Sequence, residues 1–163
     1  MRTTGSPTRR EFLAGVGAAA GGAWAFNTVR AEAAPTGGFR GQFCLFSKHL
    51  PMLAWAPLAE AVKRVGFGGV DLTVRPGGHV EPARASEDLP RAIEAIRQCG
   101  VDVPMITTAL LSSEEPTARS ILEAAGKSGV RFFKPGYYRY ALSDVRAEVA
   151  AAGRALAGLA ALG

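Results

Sequence analysis

The sequence predicts an α/β fold in which β-strand–α-helix units repeat around a parallel sheet. From Phe39 onward, short apolar runs rich in β-branched or aromatic residues alternate with longer runs of helical periodicity. Glycine closes each of the first three predicted helices, and the next strand begins almost at once, at a period of about 30 residues. Short turns at one end of the units and long loops at the other indicate that all strands point the same way.

Four strands are predicted from the apolar runs, each bounded by glycine, proline or polar residues. They span residues 42–46, 69–74, 101–107 and 130–134. The first helix is predicted over about 55–65, because its apolar residues recur at spacings of three and four, which is typical of one buried face. The residues of that face are Leu58, Ala61, Val62 and Val65.

The second helix is predicted to begin near Ser86, a good N-cap residue, with the acidic Glu87 and Asp88 in its first turn. It ends before Gly100, whose missing Cβ suits a left-handed C-terminal cap. Its predicted buried residues are Leu89, Ile93 and Ile96.

The third helix is predicted over about 116–127, because Pro116 suits a first helical turn. Its predicted inward residues are Ile121, Leu122 and Ala125. A fourth helix is predicted from about Ser143 to the end of the sequence.

Residues 1–33 predict a twin-arginine export signal. The segment 8–13 (TRREFL) matches the twin-arginine pattern, and the uncharged run 13–26 is too short and too weakly apolar for a stable membrane span. Residues 31–33 (AEA) suit signal peptidase, so cleavage is predicted after Ala33. We therefore expect a periplasmic or other extracytoplasmic protein that meets the membrane only during export. An uncleaved N-terminal helix is the alternative.

Composition predicts one globular domain over residues 42–163, after a linker at 34–41 that contains proline and glycine. The chain is 48% hydrophobic and 20% charged, which excludes a disordered tail. Its formal charge is +5, and removal of residues 1–33 takes away four arginines and two glutamates. The remaining charges are interleaved, so no nucleic-acid partner is expected.

The two cysteines, Cys44 and Cys99, have no metal-binding spacing. The sequence leaves a disulfide open, because it does not show whether the two side chains meet. We interpret both as buried thiols.

Polar residues gather directly after the predicted strands, where parallel α/β folds bind their ligands. The residues that follow the four strands are Ser47, Lys48 and His49; Asp71, Thr73, Arg75 and His79; Thr107 and Thr108; and Lys134, Tyr137, Tyr138, Arg139 and Tyr140. Six of them are the predicted substrate-binding residues: His49, Asp71, Arg75, His79, Lys134 and Tyr138.

Four segments carry a family resemblance that covers about residues 42–162. They are 45–50 (LFSKHL), 66–80 (GFGGVDLTVRPGGHV), 103–108 (VPMITT) and 136–140 (GYYRY). Together they resemble the sugar-phosphate isomerases and epimerases of the xylose-isomerase-like barrel class, and the second segment is the most specific.

The resemblance implies a (β/α)8 TIM barrel that binds one divalent metal, Mn, Mg or Zn, and moves a proton between adjacent carbons of a sugar or sugar phosphate. In that family the metal ligands, two Glu, an Asp and a His, come from strands five to eight. A full barrel has about 250 residues. We therefore interpret residues 42–163 as the N-terminal half of such a barrel, about four βα units without the metal ligands, with unknown catalytic residues and no activity as a fragment.

Two other functions stay open at this point. A non-catalytic carbohydrate-binding or self-associating half-barrel module, working as a homo-oligomer, would bury the outer strands of the sheet. An endonuclease of the related barrel branch shares the fold, but an exported protein has little access to DNA.

Each candidate residue also has a structural interpretation. Asp71 either contacts sugar hydroxyls or pairs with Arg75, and Arg75 either binds a phosphate or carboxylate or pairs with Asp71 or Glu81. His49 either lines the substrate site or is structural, and His79 either serves a site or is a hydrogen-bonded surface group. The remaining two are Lys134, which neutralises an anion or extends into solvent, and Tyr138, which packs on a sugar ring or caps the barrel mouth.

Overall fold

A computed structural model of the chain describes residues 41–163. The predicted export signal at 1–33 and residues 34–40 of the predicted linker lie outside the described residues. Four strands alternate with four helices. The strands are β1 (Cys44–Phe46), β2 (Gly69–Val74), β3 (Asp102–Thr108) and β4 (Phe132–Lys134). The helices are α1 (Trp55–Arg64), α2 (Ala85–Gln98), α3 (Ala118–Lys127) and α4 (Val145–Ala160), with 3₁₀ turns at Ser47–His49 and Pro82–Arg84.

The sheet is parallel, and its strand order β1-β2-β3-β4 follows the sequence. Right-handed crossovers between strands in this order place the connecting helices on one face of the sheet. In agreement with this, α1 packs against α2, and α2 packs against α3. The predicted α/β fold with repeated βα units is therefore confirmed.

The hydrophobic core lies between the sheet and these helices. Val70, Leu72 and Val74 alternate along β2 and are fully buried. The helices add fully or almost fully buried residues that the periodicity predicts, namely Leu58, Val62, Leu89, Ile93, Ile96, Ile121, Leu122 and Ala125.

The opposite face of the sheet carries two rows of side chains, because paired residues of neighbouring strands share a face. The first row is Phe46, Asp71, Met105 and Phe132. The second row lies nearer the carboxyl ends of the strands and contains Thr73, Thr107 and Lys134. This face mixes aromatic, apolar and charged groups, whereas the helix-covered face is apolar.

Glycine forms the three short helix-to-strand turns, as predicted. Gly66, Gly100 and Gly129 have φ of +88°, +78° and +75°. Residues with a Cβ are strained in this left-handed conformation, so these turns favour glycine.

Several predicted element ends are wrong by one to three residues. α2 begins at Ala85, directly after the Pro82–Arg84 turn, so Ser86 lies inside the helix and caps nothing. α3 begins at Ala118, and Pro116 lies before it. α4 begins at Val145, where the Asp144 carboxylate accepts a 3.0 Å hydrogen bond from the Ala147 amide. None of the helices within residues 41–163 is long and apolar enough to cross a membrane.

The predicted buried face of α1 is wrong at Val65, which is 62% exposed, and at Ala61, which is only half-buried, while Ala59 is fully buried instead. The helix ends at Arg64, and the Gly66 turn carries the chain away before Val65 reaches the sheet. The prediction of two buried thiols is also wrong: Cys44 and Cys99 are free but only partly buried. Burial, with smaller contributions from the charges of Asp71 and Asp102, raises the pKa of the Cys44 thiol.

Truncation of the two valines of this segment tests the packing of α1. Val62→Ala removes methyl groups from a fully buried site and should lower the free energy of unfolding by about 2 kcal/mol. Val65→Ala, the matched control at an exposed site, should change it by less than about 0.5 kcal/mol. Urea denaturation followed by circular dichroism measures both, and equal losses would contradict the observed face.

Candidate functional site

A cavity of about 330 Å³ opens at the carboxyl ends of the strands. Phe46 ends β1, Arg75 follows β2, Thr108 ends β3 and Lys134 ends β4, and all four line this cavity, which we call the strand-end cavity. The parallel direction of the strands brings these positions to one edge of the sheet. The predicted clustering of polar residues beyond the strand ends is therefore present in the fold.

The strand-end cavity has a strongly positive lining. Lys48, Arg75, Lys134 and Arg139 line it, together with the hydroxyl-bearing Thr107 and Thr108, and none of its described lining residues is acidic. Charges of one sign around a concave site focus the field and concentrate counter-ions there. The lining is therefore suited to an anionic small molecule.

Lys134 is held at the cavity by an aromatic ring. Its Nζ atom lies 3.8 Å from the centroid of the Tyr137 ring and donates a 3.4 Å hydrogen bond to the Pro135 carbonyl. An ammonium over a ring face is attracted by the negative charge of the π system. Tyr137 therefore restricts Lys134 without neutralising its charge.

Arg75 follows β2 and lies in a tight turn. The sequence suggests Asp71 and Glu81 as ion-pair partners of Arg75. Within the described part of the chain, neither carboxylate forms an ion pair with Arg75. Glu81 instead accepts a 2.7 Å hydrogen bond from the Gly77 amide. Among residues 41–163 the guanidinium of Arg75 therefore has no ion-pair partner, and its planar set of donors faces the cavity.

Asp71 lies two residues before Thr73 in β2, deeper than the cavity lining, and is 9% exposed. The Thr107 hydroxyl donates to its carboxylate, with Oγ1 lying 2.8 Å from Oδ1 and 2.9 Å from Oδ2. Burial raises the pKa of Asp71, while the Thr107 hydrogen bond and the Lys134 charge act in the lowering direction. Asp71 is therefore a buried carboxylate that is hydrogen-bonded to Thr107, a residue of the cavity lining.

His79 joins three segments through hydrogen bonds. Its Nε2 atom donates to the Leu50 carbonyl at 3.2 Å, and its Nδ1 atom lies 3.0 Å from the Thr73 hydroxyl. Its amide donates to the same hydroxyl at 3.0 Å, and its carbonyl accepts from the Trp55 indole at 3.0 Å. Burial lowers the pKa of His79. Both ring nitrogens are engaged within the protein and do not point to a ligand.

The other two predicted site residues lie away from the cavity lining. His49 is exposed, with its ring edge-on to Phe46 at 5.7 Å between centroids. The Tyr138 hydroxyl donates to the Leu111 carbonyl at 2.9 Å, and its ring lines a separate hollow against α4. Burial is the largest cause of the raised pKa of Tyr138. The structure therefore brings Arg75 and Lys134 together, with Asp71 below them.

Two cavity residues, Lys48 and Arg139, are absent from the six predicted binding residues. Both follow strand ends in the sequence, and their shared positive charge is the signal that would have selected them. The sequence also does not predict the role of Ser47. This residue is fully buried, and its hydroxyl oxygen lies 3.2 Å from the Thr73 hydroxyl oxygen. No sequence pattern distinguishes such a buried hydroxyl pair from surface serine and threonine.

The described residues do not fit the divalent metal that the family resemblance implies. Within residues 41–163, no group of three or more His, Cys, Asp or Glu side chains is arranged to hold a metal ion. The one well-buried carboxylate there, Asp71, is bonded to Thr107. Comparisons of the chain with models of protein families, with curated proteins and with solved structures found no match.

Replacement of the two buried threonines at the end of β3 tests the state of Asp71. Thr107→Val removes the hydrogen bond to the carboxylate and should raise the pKa of Asp71 further. A carboxyl whose folded pKa is raised contributes stability that is present below its unfolded pKa and is lost as the pH rises through the folded pKa. We expect a loss of about 2 kcal/mol in the free energy of unfolding at about pH 7 and a smaller loss at about pH 4.

Thr108→Val is the matched control, because within residues 41–163 the Thr108 hydroxyl bonds two neutral groups, the Lys134 carbonyl at 3.0 Å and the Leu110 amide at 3.3 Å. Thr108→Val should lower the free energy of unfolding by about 1 kcal/mol, and by the same amount at both pH values. Urea denaturation at each pH gives the loss in the free energy of unfolding for both variants. A pH-independent loss in Thr107→Val would show that Asp71 does not carry the charge at neutral pH.

Proposed function

We propose that this chain forms the substrate-side half of a (β/α)8 barrel of the sugar-phosphate isomerase and epimerase type, and that the strand-end cavity holds the anionic group of a phosphorylated sugar. The protein acts outside the cytoplasm after twin-arginine export. The observation that carries the proposal is that four basic side chains line one cavity at the carboxyl ends of parallel strands.

The order of the strands supports a barrel-type arrangement. In doubly wound α/β sheets the strand order reverses once and helices cover both faces. Here the strands follow one another in sequence order, and α1, α2 and α3 lie side by side on one face. A barrel needs the same arrangement, with the helix-free face turned inward.

The chemistry of the cavity lining suits a sugar phosphate in two respects. Arg75 offers a planar fork of donors that matches two phosphate oxygens, and Lys134 adds a point charge. The Thr107 hydroxyl donates its hydrogen to Asp71, so its oxygen remains an acceptor in the cavity wall. Tyr137, 79% exposed at the cavity, presents a ring for contact with a sugar face.

The contribution of the described residues is binding and orientation. Proton transfer in this class of enzyme uses a metal to polarise the sugar oxygens. Because no group within residues 41–163 fits a metal, we derive no proton-transfer step from them. Their role is to fix the phosphate end of the substrate so that the reacting carbons lie at a defined distance from it.

Removal of one cavity charge tests the proposal. Arg75→Gln should weaken binding of glucose 6-phosphate, used as a probe, by about tenfold or more, because a charge-assisted bidentate contact is lost. Unphosphorylated glucose should bind much more weakly to the wild-type chain. Isothermal titration calorimetry measures both affinities.

Arg64→Gln is the control, since Arg64 is an exposed residue of α1 and does not line the cavity. It removes the same charge and should leave the affinity unchanged. Equal weakening in both variants would mean that net charge alone attracts the anion, and equal binding of glucose and its phosphate would reject the anionic substrate.

A second candidate function, a self-associating half-barrel, is favoured by the helix-free face of the sheet. Phe46, Met105 and Phe132 lie in one row on this face, and Phe132, on an outer strand of the described sheet, is 60% exposed. Exposed apolar groups beside unpaired strand edges promote association.

Sedimentation over a range of protein concentrations tests this second candidate. We expect a concentration-dependent dimer that Phe132→Glu weakens by about tenfold or more, because a charge would be buried. Val149→Glu on α4, at a site that is 53% exposed, is the control and should not change the equilibrium. A monomer at all concentrations would reject self-association.

A further inference from the structure

The hydrogen bonds around His79 have directions that follow from the chemistry of their atoms. A carbonyl oxygen only accepts, so the bond to Leu50 places the imidazole hydrogen on Nε2. In neutral imidazole Nδ1 is then an acceptor, and the Thr73 hydroxyl must donate to it. The Thr73 oxygen accepts in turn from the His79 amide.

Ser47 completes this set of bonds. Its hydroxyl oxygen accepts from the Thr73 amide at 3.0 Å and lies 3.2 Å from the Thr73 hydroxyl. Because the Thr73 hydrogen is used on His79, Ser47 must be the donor in the hydroxyl pair. With a neutral imidazole, each of these buried or half-buried donors therefore has an acceptor.

Protonation of His79 breaks this arrangement. A hydrogen on Nδ1 would face the Thr73 oxygen, and the Thr73 hydroxyl hydrogen would have to turn toward Ser47. The Ser47 hydroxyl hydrogen, fully buried, would then lose its acceptor. A buried donor without a partner is costly, so the hydrogen-bond pattern and the burial of the ring both favour the neutral form.

The charged groups of the adjoining segments do not change this conclusion. Lys48 and His49 lie in the neighbouring 3₁₀ turn, Arg75 and Glu81 flank the loop, and α1 contacts His79 through Trp55. None of these four ionisable side chains forms a hydrogen bond or ion pair with the ring within residues 41–163. Burial is the largest influence on the pKa of His79 and lowers it. The hydrogen bonds to the Leu50 and Leu53 backbone act in the raising direction.

Backbone hydrogen bonds on either side of His79 hold the turn that presents Arg75. The Arg75 amide donates to the Val80 carbonyl at 3.2 Å, and the Val80 amide donates to the Thr73 carbonyl at 3.1 Å. Gly78 donates to the Arg75 carbonyl at 2.8 Å inside the turn. His79 lies between Gly78 and Val80 and anchors residues 75–80, the Arg75 turn, to Leu50 and Thr73.

We infer that His79 is a positioning residue whose neutral imidazole anchors the Arg75 turn and so holds the guanidinium at the strand-end cavity. Protonation of His79 loosens the turn and lowers the affinity of the cavity for an anion. The effect on affinity rests on the proposed anion-binding function, whereas the anchoring of the turn does not.

Hydrogen exchange of the wild-type chain tests the anchor directly. Amide protection factors at Arg75 and Val80, corrected for intrinsic exchange, should fall as the pH is lowered from about 7.5 to about 5, by at most about tenfold per pH unit, the slope for uptake of one proton. The two-bond proton–nitrogen correlation of His79 should show the Nε2-H tautomer at the upper pH. Constant protection, or the Nδ1-H tautomer, would overturn the inference.

The chain contains two histidines, so two matched variants show which of them causes the pH dependence of amide protection. His79→Gln should remove the pH dependence of protection at Arg75 and Val80, and His49→Gln should retain it. A pH dependence that disappears with His49 instead would overturn the inference. The wild-type profile and the titration of the His79 ring remain decisive if His79→Gln does not fold.

Sulfate, which does not titrate in this range, is the binding probe for the full chain. Its affinity should fall with the protection of the Arg75 turn in the wild type and in His49→Gln. Falling protection with unchanged sulfate affinity would overturn the link to binding. If sulfate does not bind at any pH while protection still falls with pH, the proposed anionic site is wrong and the anchor stands.

Discussion

Parallel pairing of β2 with β3 fixes the side chains on which the candidate site depends. The register sets Thr73 beside Thr107 and Asp71 beside Met105, which lets the Thr107 hydroxyl reach the Asp71 carboxylate. A shift of this register by one residue would turn each of these side chains to the helix-covered face. The fully buried row of Val70, Leu72 and Val74 opposes such a shift, because it would expose the core.

The charges at the carboxyl ends of the strands are arranged in two layers. Four basic side chains line the cavity, and one buried carboxylate lies beneath them. The carboxylate is bonded to the Thr107 hydroxyl and forms no ion pair with Arg75 among the described residues. Tyr137 restricts the Lys134 side chain, and the Arg75 turn fixes the backbone from which Arg75 extends, which lowers the entropy cost of ordering these groups around a ligand.

Much of the fold is predictable from the sequence because it follows from local rules. Apolar spacing predicts the helices and most of their buried residues, and the three turn glycines predict where the strands begin. Val65 is an exception, since the left-handed turn at Gly66 follows it directly and the helix ends before it. Ser86 fails as a cap because a 3₁₀ turn enters the helix one residue earlier, and local composition does not encode that turn.

The candidate site is less predictable, because it depends on contacts between distant residues. Position after a strand correctly selects Arg75 and Lys134 for the cavity. It does not distinguish them from His79, whose ring nitrogens bond to Leu50 and Thr73, or from Tyr138, whose hydroxyl bonds to Leu111. Those partners lie in other loops, and only the folded chain brings them into reach.

Binding of the anionic end of a phosphorylated sugar at the strand-end cavity is the property from which the proposed function follows. A titration of the isotopically labelled chain with glucose 6-phosphate, followed by amide chemical shifts, tests it most directly. We expect saturable shifts concentrated at Arg75, Thr108 and Gly136, with the amides of α1 and α2 unaffected. Shifts confined to those helices, or none at any concentration of the probe, would contradict it.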